Sequence, residues 1–451
     1  MISRQEILDL AKDFGLAANV VEKDYALGWL LAGFGQHPDT RDTWLFKGGT
    51  CLKKCFFETY RFSEDLDFTL LESRHLDEAF LGKLFQEIAD WVYDVCGLVL
   101  PPDTRKVDVH TNPRGGRSAE GRIGYRGPLA RTGDAPRIKL DLTDDERVVR
   151  EPNRREVHHP YSDRPSSGIQ VATYSLEELF AEKIRALAER LRPRDLYDVV
   201  HLYWRKELQP DCVAVMSTLA EKCAFKRIPV PAIESFRNSP LIGDLRAAWE
   251  PMLGNQLPAL PSFDDFWNEL PEVLGWLVEA TPRIELPIMT VAAAGPLDLA
   301  WRPPSMATSW RSFGTEAPLE VIRFAAANRL CVELDYRDAR GSRKVRTIEP
   351  YSLRRSRAGN LLLFAVKHDT GETRAYRADR ILGATVAHGS FRPRFAVELG
   401  DTGPVAMHVF QCTLCGKLFR RAAYDSPLNP HEGRNGWPCP GRVGIFVETE
   451  S

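Results

Sequence analysis

The sequence has no apolar run approaching the roughly 20 residues that cross a bilayer, so a membrane-spanning protein is not expected. Its opening, Met1-Ile2-Ser3-Arg4-Gln5-Glu6, lacks the basic, apolar and small-residue order of a secretory signal. Nine cysteines are few for 451 residues, and odd in number, which argues against a disulfide framework. No internal repeat is found, so a solenoid is not expected. Neither sign of charge dominates, since the formal net charge is −2. Together these absences point to a reducing cytoplasm and no membrane partner. What is present is an ordinary globular composition, 43% hydrophobic and 27% charged, in a chain long enough for several domains.

Charge becomes informative when it is located. Between Glu320 and Ala396 there are sixteen Lys/Arg against eight Asp/Glu; between Pro101 and Arg137, eight against four. Either excess suits a phosphate-binding surface or a solvated face laced with ion pairs.

The densest chemistry lies in Lys47-Gly48-Gly49-Thr50 and in Arg61-Phe62-Ser63-Glu64-Asp65-Leu66-Asp67-Phe68. Side chains alternate along a strand, so Asp65 and Asp67 share a face. Two carboxylates on one face make a hard oxygen site for Mg²⁺. Gly48 and Gly49 let backbone N–H groups come close to a triphosphate, and Thr50 adds a hydroxyl at the start of the next helix. Lone Asp-x-Asp pairs also occur on solvated strand ends. The glycine turn in front and the apolar flanks Trp44-Leu45-Phe46 and Phe68-Thr69-Leu70-Leu71 favour a site. The chemistry that fits is metal-assisted nucleotide transfer from an NTP, commonly with two Mg²⁺ ions.

Residues 1–285 read as one α+β unit. Helical spacing of Ile7, Leu10 and Ala11, then of Val20, Val21, Tyr25, Leu27, Leu30 and Leu31, opens it. Trp44–Lys47 and Leu66–Leu71 read as strands, with a helix over Leu52–Tyr60 between them. A long helix follows from Leu76 to Val95. Arg114-Gly-Gly-Arg-Ser-Ala-Glu-Gly121 reads as a loop between strands, because of its glycines. Arg137–Thr143 alternates, which puts Lys139, Asp141 and Thr143 on one face. Asp141 is thereby the third carboxylate, suited to activating the attacking hydroxyl. Ser175 and Glu178 form a capping box for a helix carrying Leu176, Leu179, Phe180, Ile184 and Leu187. Lys183, at the edge of that stripe, either snorkels or points into a cleft at an anion. Asp195 and Asp198 read as a helix cap and its first-turn companion, or as site acids.

These motifs resemble the AbiEii/AbiGii nucleotidyltransferase toxins, effectors of type IV toxin–antitoxin pairs. The residues that carry the likeness are Lys47-Gly-Gly-Thr50, Arg61-x-Ser63-x-Asp65-x-Asp67, Lys183 and Arg194-Asp195-x-x-Asp198. Val21-Glu-Lys-Asp-Tyr25 fits the family's N-terminal helix. The resemblance implies a polymerase-β-like core, NTP use with Mg²⁺, transfer to the 3′ end of tRNA that blocks translation, and a cognate antitoxin. It makes Asp65 and Asp67 metal ligands, Lys183 a phosphate contact and Asp195 an acid facing the site. Lys47, Gly48, Gly49, Thr50, Arg61 and Ser63 then belong to the nucleotide shell.

Residues 286–316, rich in proline, read as a linker. Over 317–396, Leu330–Tyr336, Arg343–Tyr351, Gly359–Ala365 and Glu372–Ile381 read as short strands. This segment resembles a WYL domain, an SH3-like β barrel of bacterial regulators and defence proteins. Leu361-Leu362-Leu363 stands where the family has Trp-Tyr-Leu. Arg374, Arg377 and Arg380 remain as its nucleic-acid contacts; a protein-docking barrel is the other reading. Over 405–451, Cys412-x-x-Cys415-Gly416 is a zinc-knuckle turn and Cys439-Pro440-Gly441 half of a second. A tetrahedral Zn²⁺ site needs a fourth ligand, His431 or alternatively His408. The other cysteines read as small core residues. The transferase expectation competes with two others: a nucleic-acid-binding sensor or regulator of a defence system, and NTP transfer onto a protein hydroxyl.

Overall fold

The computed structural model describes residues 1–14, 16–57, 61–111, 115–205, 210–279, 286–298, 301, 316–399, 407–421, 428, 431–433 and 438–450. Two helices open the chain, α1 (Arg4–Phe14) and α2 (Ala18–Gln36). α1 packs on α2, and α2 packs on a seven-stranded mixed sheet. Its strands are β1 (Trp44–Lys47), β2 (Asp65–Leu70), β3 (Lys106–Thr111), β4 (Arg117–Gly124), β5 (Arg137–Thr143), β6 (Asn153–Glu156) and β7 (Gln170–Thr173), in the order β3-β4-β5-β2-β1-β7-β6. β2 runs antiparallel to β1 and parallel to β5.

The alternation in β2 divides the fold. Leu66, Phe68 and Leu70 are buried towards α2 and α4 (Glu78–Cys96). There Phe34, Trp44, Phe68 and Phe85 form an aromatic cluster with ring centroids 5.2–6.4 Å apart. Asp65, Asp67 and Thr69 face the other way, under the helical layer α5 (Leu176–Arg190), α6 (Pro193–Trp204), α7 (Cys212–Lys226) and α11 (Phe263–Glu279). α+β layering and the Asp-x-Asp strand are thus as the sequence implies.

Three local expectations are corrected. The helix expected over Leu52–Tyr60 begins earlier, as one turn at Gly48–Cys51, and continues as a π turn over Leu52–Phe56. The Phe57 N–H donates to the Leu52 carbonyl at 2.8 Å. Residues 58–60 lie outside the described residues. The loop expected at Arg114–Gly121 is instead strand β4 from Arg117, paired on both sides; residue 114 lies outside the described residues. Its glycine is tolerated because a Cβ at Gly121 would meet the Phe85 ring at 3.2 Å. The capping box is half formed. The Glu178 N–H donates to Ser175 Oγ at 3.1 Å, while the Glu178 carboxylate accepts from the Val149 and Arg150 N–H groups and pairs with Lys222 at 2.9 Å.

Beyond α12 (Glu316–Ala327) come β8 (Leu330–Arg337), β9 (Arg343–Arg355), β10 (Leu361–Lys367), β11 (Thr373–Arg377) and β12 (Ile381–Ser390). Their order, β11-β10-β9-β8-β12, with a 3₁₀ turn over Ala378–Arg380, is that of an SH3-like barrel. Met289, within the proline-rich stretch, is buried in the barrel core with Cys331, Tyr351, Leu362 and Phe364. Residues 299–300 and 302–315 of that stretch lie outside the described residues. A last antiparallel sheet joins β13 (Met407–Cys412), β14 (Leu418–Arg421) and β17 (Gly444–Glu450), beside the short pair β15 (His431–Glu432) and β16 (Pro438–Cys439).

The barrel is fastened to the sheet-and-helix unit. Arg329 lies over the Trp204 ring at 3.9 Å and pairs with Glu269 at 3.2 Å. The Tyr197 hydroxyl donates to Asn328 Oδ1 at 2.7 Å, both residues buried. Removing the guanidinium loses a partly desolvated cation–π contact and leaves Glu269 only the Trp204 indole N–H, which donates to it at 3.0 Å. Arg329→Ala is expected to lower unfolding free energy by about 1–3 kcal/mol, read by urea titration of the full chain. A wild-type midpoint would show that the barrel is held by its apolar contacts alone.

Candidate active site

Strand register assembles the acids. Asp67 lies opposite Lys47 on β1 and beside Asp141 on β5; Asp141 in turn faces Glu120 on β4. Asp65, Asp67 and Asp141 therefore share one face of two adjacent strands, β2 and β5. Burial raises the pKa of Asp65, with Asp141 adding to it. Burial likewise pushes Asp67 up to about 6; Lys47 opposes the shift, and Asp141 and Asp65 add to it. Like charges held together in a half-dry site are what a cation relieves.

The glycine turn is shaped by these side chains. Gly48 has φ +79°, and a Cβ there would come within 2.1 Å of Asp67 Oδ2. At Gly49 a Cβ would meet the Arg61 guanidinium at 2.6 Å and Ser63 Oγ at 3.1 Å. Thr50, fully buried, donates its hydroxyl to the Asp65 carbonyl at 2.5 Å and so ties the turn to β2.

The cations have partners. Lys47 pairs with Glu182 at 3.0 Å, and Glu182, despite burial, holds the Lys47 pKa above its usual value. Lys139 bridges Asp141 at 2.9 Å and Glu120 at 3.3 Å. Lys183 is buried and lies 2.7 Å from Asp198 and 3.7 Å from Asp195. Arg61 grips Asp198 with two hydrogen bonds of 2.7 and 2.8 Å and donates to Gln256 at 3.1 Å. Asp195 accepts two from Arg190, at 2.7 and 2.9 Å. It is not the cap of α6; Arg192 holds that position, with Pro193 first in the helix. Burial opposes ionisation of Asp198, yet Arg61 first and Lys183 next hold its pKa well below the carboxylate range.

Glu182, Arg190 and the central role of Asp198 were not legible in sequence. Asp198 read as a first-turn helix acid or as a site acid. Its meaning comes from Arg61, 137 residues away. The sign that was available is its place on the same helix face as Asp195.

Elsewhere the expected contacts are less concentrated. Arg374 pairs with Glu372 at 2.5 Å, and Arg377 with Asp379 at 2.6 Å. Three positions apart on one strand, they project from opposite faces, with Arg380 in the turn beyond. The four sulfur and nitrogen ligands Cys412, Cys415, His431 and Cys439 do converge, all within 4.8 Å. Cys412 Sγ and Cys439 Sγ are 3.8 Å apart, and Cys415 Sγ lies 3.4 Å from His431 Nε2. A tetrahedron with Zn–S bonds of about 2.3 Å has S···S edges of about 3.8 Å, so the group fits zinc. The Gly441 N–H donates to Cys439 Sγ at 3.3 Å, and a Cβ there would strike Cys412 Sγ. The alternative ligand, His408, has its side chain outside the described residues.

Breaking the Asp198 cluster gives a signed pH test. A lowered folded-state pKa contributes stability that is complete above the usual carboxylate value, about 3.9, and is lost as pH falls through the folded value. Arg61→Ala removes the larger cause of the lowering, so its acid-unfolding midpoint is expected at higher pH than wild type. At neutral pH the variant should lose about 3–5 kcal/mol. Circular dichroism against pH and against urea checks both; two unchanged midpoints would refute the assignment.

Comparison with known proteins places this geometry. The family described as nucleotidyl transferase AbiEii toxin, type IV TA system, matches residues 29–269. The WYL domain family matches residues 318–386. No curated protein matches the chain. Among solved structures, the nucleotidyltransferase toxin MenT4 of Mycobacterium tuberculosis H37Rv aligns at 16% identity with a TM-score of 0.42, over 62% of this chain and 90% of its own. The proteasome accessory factor B/C of Arthrobacter aurescens aligns at 13% identity with a TM-score of 0.16, over 76% and 68%.

Proposed function

The chain belongs to the AbiEii nucleotidyltransferase toxin family of type IV toxin–antitoxin systems, and we propose that it transfers nucleotides from an NTP to the 3′ end of an RNA, tRNA foremost, and so blocks translation. The observation that carries this reading is the acidic face that Asp65 and Asp67 of β2 form with Asp141 of β5, rimmed by Lys47 and Lys183.

Asp65 and Asp67 offer hard oxygens that fit Mg²⁺, two ions in the usual form of this chemistry. When bound, the metal neutralises phosphate charge and activates the attacking oxygen. Asp141 stands where it can take the proton of the attacking 3′ hydroxyl. That oxygen bonds to the α-phosphorus, the bond to the β-phosphate oxygen breaks, and pyrophosphate leaves. Lys47 and Lys183 bear on Asp67 and offset the negative charge that gathers there. Gly48, Gly49, Thr50, Arg61 and Ser63 hold the shape of the nucleotide shell, and Asp195 fixes Lys183 and Arg190 at its edge. A cognate antitoxin is the protein partner that the family implies. Arg374, Arg377 and Arg380 would contact RNA phosphates from more than one side of the barrel edge, each adding to the salt dependence of binding. No helix among the described residues is long and apolar enough to cross a membrane, in keeping with a cytoplasmic setting.

Asp67→Asn keeps size and hydrogen bonding but removes the charge. It is expected to abolish transfer of labelled nucleotide to total RNA while the melting temperature holds or rises, because one of three repelling acids is gone. Transfer at the wild-type rate would overturn the assignment. If label appeared on protein instead of RNA, the acceptor would be a protein hydroxyl.

The Cys412, Cys415, His431 and Cys439 group is proposed to hold a structural Zn²⁺. Protein prepared without chelator should contain about one zinc per chain, and removing it should unfold only the last module, which has little core of its own. Metal analysis finding no zinc would refute this.

A further inference from the structure

Around Asp65 and Asp67 nearly every cation is already committed. Lys47 is held by Glu182, Lys183 by Asp198, Arg190 by Asp195 and Lys139 by Asp141. Lys23, near Asp65, pairs with Glu64 at 2.7 Å, and Arg61 is spent on Asp198. Each of these already spends donors on a carboxylate, so a phosphate reaching one would share it.

Arg194 differs. It lies in the first turn of α6, between Pro193 and Asp195, and is exposed. Among the described residues it makes no ion pair and no side-chain hydrogen bond, although Asp65 is among the charges that bear on it. We propose that Arg194 is the residue that grips the triphosphate of the incoming nucleotide, at the mouth of the acidic face.

The chemistry supports this choice. A guanidinium presents a planar fork of donors that matches two phosphate oxygens and stays charged at any working pH. Arg194 gives up only water to do so. The guanidinium keeps an exposed side yet is crowded enough that desolvation, and then Arg61, hold its pKa below the usual value. The inference rests on the reading that this site takes an NTP. It adds a guanidinium that shares itself with no carboxylate to the lysines already placed around the polyphosphate.

The test uses the full chain, Mg²⁺ and a fluorescent non-hydrolysable NTP analogue, with inorganic tripolyphosphate and a short RNA as separate competitors. Arg194→Ala is expected to weaken the analogue and tripolyphosphate by at least about tenfold. Arg194→Lys should recover part of the loss. The melting temperature should not change, because no protein contact is removed. Arg192→Ala, the same loss of charge two residues earlier on an exposed side chain, should bind like wild type. In turnover, the KM for NTP should rise more than kcat falls. The proposal is overturned if Arg194→Ala binds the analogue normally, if Arg192→Ala loses as much, or if only RNA binding suffers. Wild-type protein that bound no nucleotide would bring down the transferase reading along with it. Normal binding by wild type and Arg194→Ala alike would remove this proposal alone.

Discussion

A carboxylate with no exposure to water must be answered by cations, and Asp198 is answered twice. Arg61 reaches it from the segment leading into β2, and Lys183 from α5, at 2.7 Å each. The three side chains pin together pieces of chain that nothing local would unite. Arg61 is four residues before Asp65, so its anchorage fixes where β2 begins. Gly49 has no Cβ because the Arg61 guanidinium occupies that space. Gly48 has none because Asp67 does. The Gly-Gly turn, the Asp-x-Asp strand, the α5 lysine and the α6 acids are therefore one object, packed around a buried ion cluster, and each motif constrains the others sterically.

That cluster has a second effect. It consumes positive charge in the scaffold and leaves the outer face of β2 and β5 short of it. Asp65, Asp67 and Asp141 repel one another across register-matched strands, and the lysine nearest Asp141 is shared with Glu120. A protein selected for stability alone would not keep three acids there, because like charges directly opposite in a sheet destabilise it. Their retention makes sense when a cation and a polyphosphate complete the site. The raised pKa of Asp67 is the local measure of that incompleteness. The interior is over-determined by paired charges, while the face is under-neutralised and chemically available.

What was legible in the sequence was local. Alternation in Asp65–Leu70 and Arg137–Thr143 assigns faces without knowledge of the fold, and Cys412-x-x-Cys415 with Cys439 announces a metal-binding group whose fourth member the sequence left between His431 and His408. What was not legible was choice of partner. Glu178 has the spacing of a capping-box acid, but a buried lysine and two backbone N–H groups outcompete the Ser175 N–H for it. β4 looked like a loop because glycines normally weaken a strand; here Gly121 makes room for the Phe85 ring, a contact no window of sequence contains. The turn after Thr50 became a π turn, and Lys54 within it is drawn 2.6 Å from buried Asp24 on α2. Each departure is a tertiary contact overriding a local preference.

The same reasoning changes the standing of the barrel. Composition reads residues 286–316 as a proline-rich linker. Asn328 and Arg329, beyond it, lie against α6, the helix that carries Asp195 and Asp198. Residues at i and i+3 on that helix face the acids' cations. Tyr197, His201 and Trp204, at i, i+4 and i+7, lie on another face, where Tyr197 meets Asn328 and Trp204 underlies Arg329. α6 thus carries the Asp198 ion cluster on one face and the Asn328 and Arg329 contacts on another. Asn328 and Arg329, between α12 and β8, bear on the helix that carries Asp198, the partner of Arg61 ahead of β2. The barrel therefore belongs to the scaffold of the acidic face as much as to any surface it presents to RNA.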